Sequence, residues 1–240
     1  MIEPFAGSAA IFNNTDYPSY LLAEENQDLV SLFQHLKTEG EDFIQVCKSY
    51  FVTENNNSTS YYELREQFNL STATRERAIL FLYLNRHGYN GLCRYNKKGI
   101  YNVPFGQYIK PYFPEKEMRY FHEKSQQATF IQADFRDTFS RALPGDLIYC
   151  DPPYAPLVQI SNFSAYTHKG FGEQEQIILS NLAKESADRG ITVIISNHDT
   201  KFTREQYRGA KIKSFKVSRR ISCKAGKRSP AKELLAIFQG

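Results

Sequence analysis

Two places in this 240-residue chain bring together side chains whose types and spacing could do chemistry. The first is Tyr149-Cys150-Asp151-Pro152-Pro153-Tyr154, which follows the apolar run Leu147-Ile148. Pro152 biases Asp151 toward an extended backbone, and both prolines fix their own φ and bring no N–H. The corner is therefore rich in acceptors and poor in donors. A planar ligand bearing an –NH2 group would match it, giving its two hydrogens to the Asp151 side chain and the Pro152 carbonyl while its ring stacks on Tyr154. The plain alternative is a rigid turn that ends a strand. The position favours a site, because α/β sheets bind ligands at the carboxyl ends of their strands.

The second place is Glu3-Pro4-Phe5-Ala6-Gly7-Ser8-Ala9, where small residues between a strand end and a helix start let backbone approach a nucleotide-like ligand. Glu24 ends the next expected strand, 17 residues after Gly7, close to the roughly 20-residue spacing at which an acid meets ribose hydroxyls. An adenosine-type ligand fits that pair. Asp134-Phe135, at the end of a third strand, could add a polar contact and an apolar surface for the adenine ring, although Asp134 reads equally well as a helix N-cap.

The elements that must position these residues are legible as apolar runs. Strands are expected over 19–24, 128–134, 146–151, 191–196, 212–217 and 233–238, with helices over 26–37 and 173–188. Short continuous apolar runs separated by helices predict a parallel sheet covered on both faces. The middle of the chain differs. Residues 40–86 show helical spacing without a strand, the polar stretch 53–60 reads as a loop, and 87–114 is rich in Gly, Pro and Tyr. There Asn90-Gly91 and Lys98-Gly99 are turn signals, which predicts a hairpin or ordered loop. The expected organisation is an α/β domain over 1–35 and 115–240 with an inserted domain over 36–114.

Composition narrows the chemistry. The longest apolar run, Ala78 to Leu84, is far short of the roughly 20 residues that span a bilayer, and the amino terminus carries no secretory pattern. A soluble, cytoplasmic, monomeric protein is expected. Cys47, Cys93, Cys150 and Cys223 form no C-x-x-C pair, and the histidines form no metal-ligand set, so neither a zinc site nor a zinc deaminase is expected. Net charge is only +4, but residues 201–228 hold eleven Lys or Arg against the single acid Glu205. Residues 86–119 hold seven basic side chains interleaved with seven Tyr or Phe. That interleaving suits a nucleic acid.

Taken together, "EPFAG", a distal "DPPY" and the inserted domain between them resemble the DNA adenine-N6 methyltransferases of the Dam type. "LFLYLNRHGYNGLCRYN" and "NVPFGQYIKPYFP" are similar to that family's DNA-reading hairpin, and "PLVQISNFSAYT", "ISNHDT" and "KVSRRIS" to its later segments. The resemblance covers essentially the whole chain. It implies a class I S-adenosylmethionine-dependent methyltransferase sheet, Rossmann-like, with an inserted, mainly helical target-recognition domain carrying a hairpin. It implies S-adenosylmethionine as methyl donor and adenine in GATC of double-stranded DNA, flipped out of the duplex, as target. Glu3, Pro4, Phe5, Gly7, Ser8, Ala9, Glu24, Asp134, Phe135 and Asp151 then fall at the donor site. Asp151, Pro152, Pro153 and Tyr154 form the catalytic motif. Tyr89 matches an aromatic wedge and Arg94 a guanine-reading arginine, with Asn90, Leu92, Asn96, Lys97, Pro104, Tyr108, Lys110, Asn162, Tyr166, Arg219 and Arg220 also on the DNA. Lys224, Lys227 and Arg228 join the phosphate contacts.

Two departures from the family pattern carry expectations of their own. Ala9 stands where the family's glycine loop has its last glycine, and the methyl is tolerable only if φ stays negative. Only four residues precede Phe5, and there is no Trp, whereas the family carries a further segment with a Lys-Trp motif. Met1-Ile2-Glu3 would be a stub of a central strand with unpaired neighbours. The alternative reading is therefore a shortened chain that binds DNA without methylating it. An N4-cytosine methyltransferase would share the Pro-Pro-aromatic corner, but the hairpin points to adenine.

Overall fold

The computed structural model describes residues 1–156, 171–217 and 231–240. Strands β1 (Ile2–Glu3), β2 (Tyr20–Glu24), β3 (Ala128–Gln132), β4 (Leu147–Cys150), β5 (Thr192–His198), β6 (Lys211–Val217) and β7 (Ala231–Phe238) form one sheet in the order β3-β2-β1-β4-β5-β7-β6. The helices are α1 (Ala10–Asn14), α2 (Gln27–Glu39), α3 (Glu41–Ser49), α4 (Ser58–Leu70), α5 (Thr74–His87), α6 (Glu115–Ser125), α7 (Phe135–Ser140), α8 (Glu173–Asp188) and α9 (Lys201–Gln206). This alternation, with a parallel centre, is the class I methyltransferase architecture.

By its contacts the chain divides into two compact units, Met1–Ala9, Ser19–Ala23 and Ala133–Gly240 in one, and Ala10–Pro18 and Glu24–Gln132 in the other. In the first unit β1 pairs in parallel with β2 (Ile2 opposite Leu21, Glu3 opposite Leu22) and with β4 (Ile2 opposite Ile148). β1 is two residues long, and the expectation that its neighbour β2 is left unpaired is not met. The Leu21 amide donates to the Met1 carbonyl and the Ala6 amide to the Ala23 carbonyl, each at 3.0 Å. Backbone groups flanking β1 thereby satisfy donors and acceptors that a sheet interior must pair.

The expectation of an all-parallel sheet fails at its far edge. β7 runs antiparallel to both β5 and β6. β6 is exposed over most of its length and carries Lys211, Lys213 and Lys216. Lysines guard an open edge against pairing with other chains, and a strand wetted on one side belongs to an antiparallel pair rather than a doubly covered sheet. The core of this unit is Ile148, Cys150, Leu179, Ala183, Ile191, Val193, Ile195, Leu234 and Ala236, all fully buried.

The second unit is mainly helical. Asn26 caps α2, its Oδ1 accepting from the amides of Asp28 and Leu29. Asp28, in the first turn of α2, is buried and takes a bidentate pair from Arg77 on α5, at 2.7 and 2.9 Å. Phe12, Phe33, Phe121 and Phe130 pack ring against ring at centroid distances of 5.0 to 6.2 Å. The stretch 53–60, expected as a loop, gives a short 3-10 turn at Thr53–Asn55 and then the first residues of α4, because Asn57 caps the helix by accepting from the Ser60 amide.

Candidate active site

The Asp151–Tyr154 corner grows directly out of β4. Ile148 and Cys150 are buried, and the parallel register sets Cys150 beside Ile195 of β5. Asp151, just past the end of β4, therefore lies beside Ser196, which is still within β5. Asp151 and Pro153 are exposed, Pro152 is buried and Tyr154 half-buried. Ser196 Oγ donates to Asp151 Oδ1 at 2.6 Å. Gln176 of α8 donates from Nε2 to the Pro153 carbonyl at 2.7 Å. Asn197 Oδ1 accepts the Ala155 amide at 2.9 Å.

The aromatic of the corner is held from the side. His198 Nδ1 donates to the Ala155 carbonyl at 2.7 Å, and its ring meets Tyr154 edge-on, with centroids 4.9 Å apart at 83°. Burial is the largest cause that raises the Tyr154 phenol well above its ordinary value, and the Asp151 charge adds to it. Tyr154 is thus neutral at physiological pH and offers a stacking face. Burial, and again Asp151, push the Cys150 thiol up as well. A thiol so raised is a packing group, not a nucleophile.

In the same unit Phe5 stacks on Phe135 at 5.4 Å and 27° and meets Phe171 edge-on at 5.3 Å. The turn after Phe5 holds Gly7 at φ +47° and Ala9 at φ +56°. The condition placed on Ala9 is thus not met: a buried alanine takes a left-handed conformation that normally favours glycine. A Cβ built on Gly7 meets no atom of the described residues within 4 Å, so the turn leaves room beside its Cα. Glu3 and Pro4 are buried and Ser8 is exposed. Asp134 caps α7, its Oδ1 accepting the Arg136 amide at 2.7 Å while Oδ2 pairs with the Arg136 guanidinium at 2.8 Å. In this structure Asp134 therefore acts as a helix cap.

In the second unit Glu24 Oε1 accepts the Asn26 amide at 3.0 Å. The expected hairpin is an ordered loop closed by antiparallel bridges, Gly88 with Phe105 and Tyr95 with Tyr101. Asn90 at φ +54° and Gly91 at +62° make one turn, and Gly99 at +74° the other. Tyr89 is 51% exposed and Leu92 41%. Asn90, Arg94, Asn96, Lys97, Pro104, Tyr108 and Lys110 are exposed as well. Arg94 is not loose: Nε donates to Asn102 Oδ1 at 2.7 Å and Nη2 to the Asn102 carbonyl at 2.9 Å. The fork is aimed by its own loop.

A family model described as D12 class N6 adenine-specific DNA methyltransferase matches residues 1–221. The chain belongs to this family. Proteins called DNA adenine methylase in Vibrio cholerae, Haemophilus influenzae and Escherichia coli K12 are 50, 51 and 47% identical to it. These matches cover 99, 99 and 100% of this chain and 86, 84 and 86% of the relatives. This D12 chain is a site-specific DNA methyltransferase acting on adenine. Among the described residues no group of His, Cys, Asp and Glu is placed to hold a metal ion, and no helix is long and apolar enough to cross a membrane.

Asn162, Tyr166, Arg219, Arg220, Lys224, Lys227 and Arg228 lie outside the described residues. The structure also brings in residues that sequence reasoning gave no role: Ser196, Asn197, His198, Gln176 and Tyr207 behind the corner, Phe171 beside Phe5, and Asn102 behind Arg94. The signal for the first three was the polar triplet Ser196-Asn197-His198 ending the apolar run of β5. A strand that turns polar at its carboxyl end, beside another that does the same, marks a shared site.

Proposed function

We propose that this methyltransferase transfers the methyl group of S-adenosylmethionine to N6 of adenine in GATC, and that it works on a base flipped out of the duplex. The observation that carries the reading is the exposed Asp151 carboxylate next to the Pro152 carbonyl, with the neutral Tyr154 ring alongside. Bound at the turn, the donor supplies an electrophilic methyl on a sulfonium. Phe5, Gly7 and Glu24 are the residues to hold it. The room beside the Gly7 Cα and the half-buried Phe5 ring fit a purine nucleoside.

Asp151 and the Pro152 carbonyl would take the two amine hydrogens, favour a pyramidal nitrogen and stabilise the positive charge that grows on it. An aromatic amine's proton is too weakly acidic for a carboxylate to remove in the ground state, so proton loss follows methyl transfer. Tyr154 holds the base in place by stacking. Residues 36–114 are the target-recognition domain in this reading. There Tyr89 fills the gap left by the flipped base and Arg94 reads guanine O6 and N7, while Lys97 and Lys110 meet phosphates.

The test is a plasmid rich in GATC, incubated with the protein and S-adenosylmethionine and then cut with a nuclease blocked by adenine methylation. Protection, with N6-methyladenine in the nucleoside digest, is the expected result. An unprotected plasmid, or methyl groups found on cytosine, would sink the reading.

A further inference from the structure

The corner holds more polar groups than an amine can use, and buried side chains occupy the surplus. Asp151 Oδ1 is taken by Ser196, the Pro153 carbonyl by Gln176, and the Ala155 amide by Asn197. These three side chains are 4%, 3% and 0% exposed. The Tyr154 hydroxyl also interacts with the Asp151 carboxylate, while the bond from Ser196 fixes the orientation of Oδ1. A carboxylate oxygen carries two lone pairs, so Asp151 keeps acceptor capacity for one hydrogen of an N6 amine beside its bond from Ser196, and the Pro152 carbonyl offers an acceptor for the other.

The supporting bonds also have only one consistent direction. Asn197 Oδ1 accepts two backbone amides, from Ala155 and His198, each at 2.9 Å. Its Nδ2 must therefore face the other way, and it donates to Gln176 Oε1 and to the Tyr207 hydroxyl, both at 3.0 Å. Gln176 Oε1, already an acceptor, leaves only Nε2 to face the Pro153 carbonyl. Turning Asn197 over would set donor against donor at both backbone amides, and turning Gln176 over would set donor against donor at Asn197 and acceptor against acceptor at the Pro153 carbonyl. A network with one arrangement fixes what it touches.

We propose that Ser196, Gln176 and Asn197 are positioning residues for methyl transfer: they engage the polar groups around the amine site and hold the Asp151 carboxylate and the Pro152 carbonyl at the spacing of one amine. The proposal rests on the reading of Asp151–Tyr154 as the amine-binding corner. Buried polar groups also need partners for stability alone, so the test must separate a rate effect from a folding effect.

The experiment compares Ser196→Ala, Ser196→Thr, Gln176→Met and Asp151→Asn with the parent protein. Single-turnover methyl transfer is measured with S-adenosylmethionine and a GATC duplex, below each variant's melting transition, and the affinity for duplex and donor is measured separately. Ser196→Ala and Gln176→Met are expected to slow transfer roughly tenfold to a hundredfold, the effect of a slightly misplaced reacting group. Both affinities should stay within about twofold, since uniform binding is untouched. Ser196→Thr, which keeps the hydroxyl, should recover most of the rate. Parental rates in Ser196→Ala and Gln176→Met alongside a dead Asp151→Asn would overturn the positioning role alone. A fall in affinity and melting temperature that tracks the fall in rate, with no recovery by Thr, would overturn it too. Parental turnover by Asp151→Asn would instead remove the corner itself from the mechanism.

Discussion

The corner at 150–155 and the loop at 88–106 both present exposed residues on a buried footing, yet they are held in opposite ways. The corner is gripped from below by fully buried side chains on β5 and α8. The loop is held largely by its own backbone, through Tyr89 to Pro104, Asn102 to Arg94 and Asn96 to Ile100. A few pins reach it from helices of its unit: Tyr61 and Arg65 on the Val103 carbonyl, Asn69 on Tyr101, and Asp28 on the Tyr95 hydroxyl at 2.6 Å. A reacting group must be placed to a fraction of an ångström, which a packed core can do. A surface that reads a duplex needs exposed side chains, so it is pinned at a few points and left open between them.

That contrast predicts where function and stability part company. Asp151→Ala should lower methyl transfer by about a thousandfold or more, the scale of removing a group that acts on developing charge, while duplex binding in a gel shift persists. Loss of DNA binding by this variant would mean that the corner is part of the reading surface, and the contrast would fall.

The largest effect expected on the loop side is on stability. Asp28 pairs bidentately with Arg77 and accepts from Tyr95, and its side chain is only 9% exposed. Asp28→Ala should cost about 2–3 kcal/mol, at the low end for a broken buried pair because Arg77 keeps some solvent contact. Removing only the hydroxyl, in Tyr95→Phe, should cost about 1 kcal/mol. Denaturant melts measure both. Duplex affinity should fall in step with the loss of the Tyr95 pin, while donor affinity holds. If Asp28→Ala left the melt unchanged, the loop would be standing without its pins.

Arg94→Ala tests reading itself. Its two bonds to Asn102 leave the rest of the fork for a base, and losing a bidentate guanine contact costs about 1–3 kcal/mol of discrimination. Competition between GATC duplexes and duplexes changed at the guanine would show it as lost preference rather than lost overall affinity. An unchanged preference would reassign Arg94 to the phosphates.

Much of this was legible in the sequence because the informative residues are local. Asp151-Pro152-Pro153-Tyr154 states its own chemistry, since proline lacks an N–H whatever surrounds it. The helix at 173–188 and the apolar strands followed from periodicity. What could not be read depends on contacts across the chain. Gln176 looks like any polar residue on a helix until its amide is seen against Pro153, 23 residues away. The antiparallel edge was missed because a short apolar run does not state its direction, although the lysines of β6 hinted at an open edge. The sign of φ at Ala9 is equally invisible in a residue name.

The smallest effect expected belongs to that alanine, and the reason is cancellation. Its left-handed φ of +56° costs about 1–2 kcal/mol relative to glycine. Against this, Ala9→Gly would loosen the unfolded chain by roughly 0.5–1 kcal/mol. It would also lose about 0.8 kcal/mol from a methyl that is fully buried here. The terms nearly balance, so Ala9→Gly should move stability by less than about 1 kcal/mol, which is how the alanine is tolerated. A stabilisation well above that in a denaturant melt would show that the turn stores more strain than its dihedral implies. The donor side of the site would then be under tension while the amine-facing corner, locked by its buried amides, is relaxed.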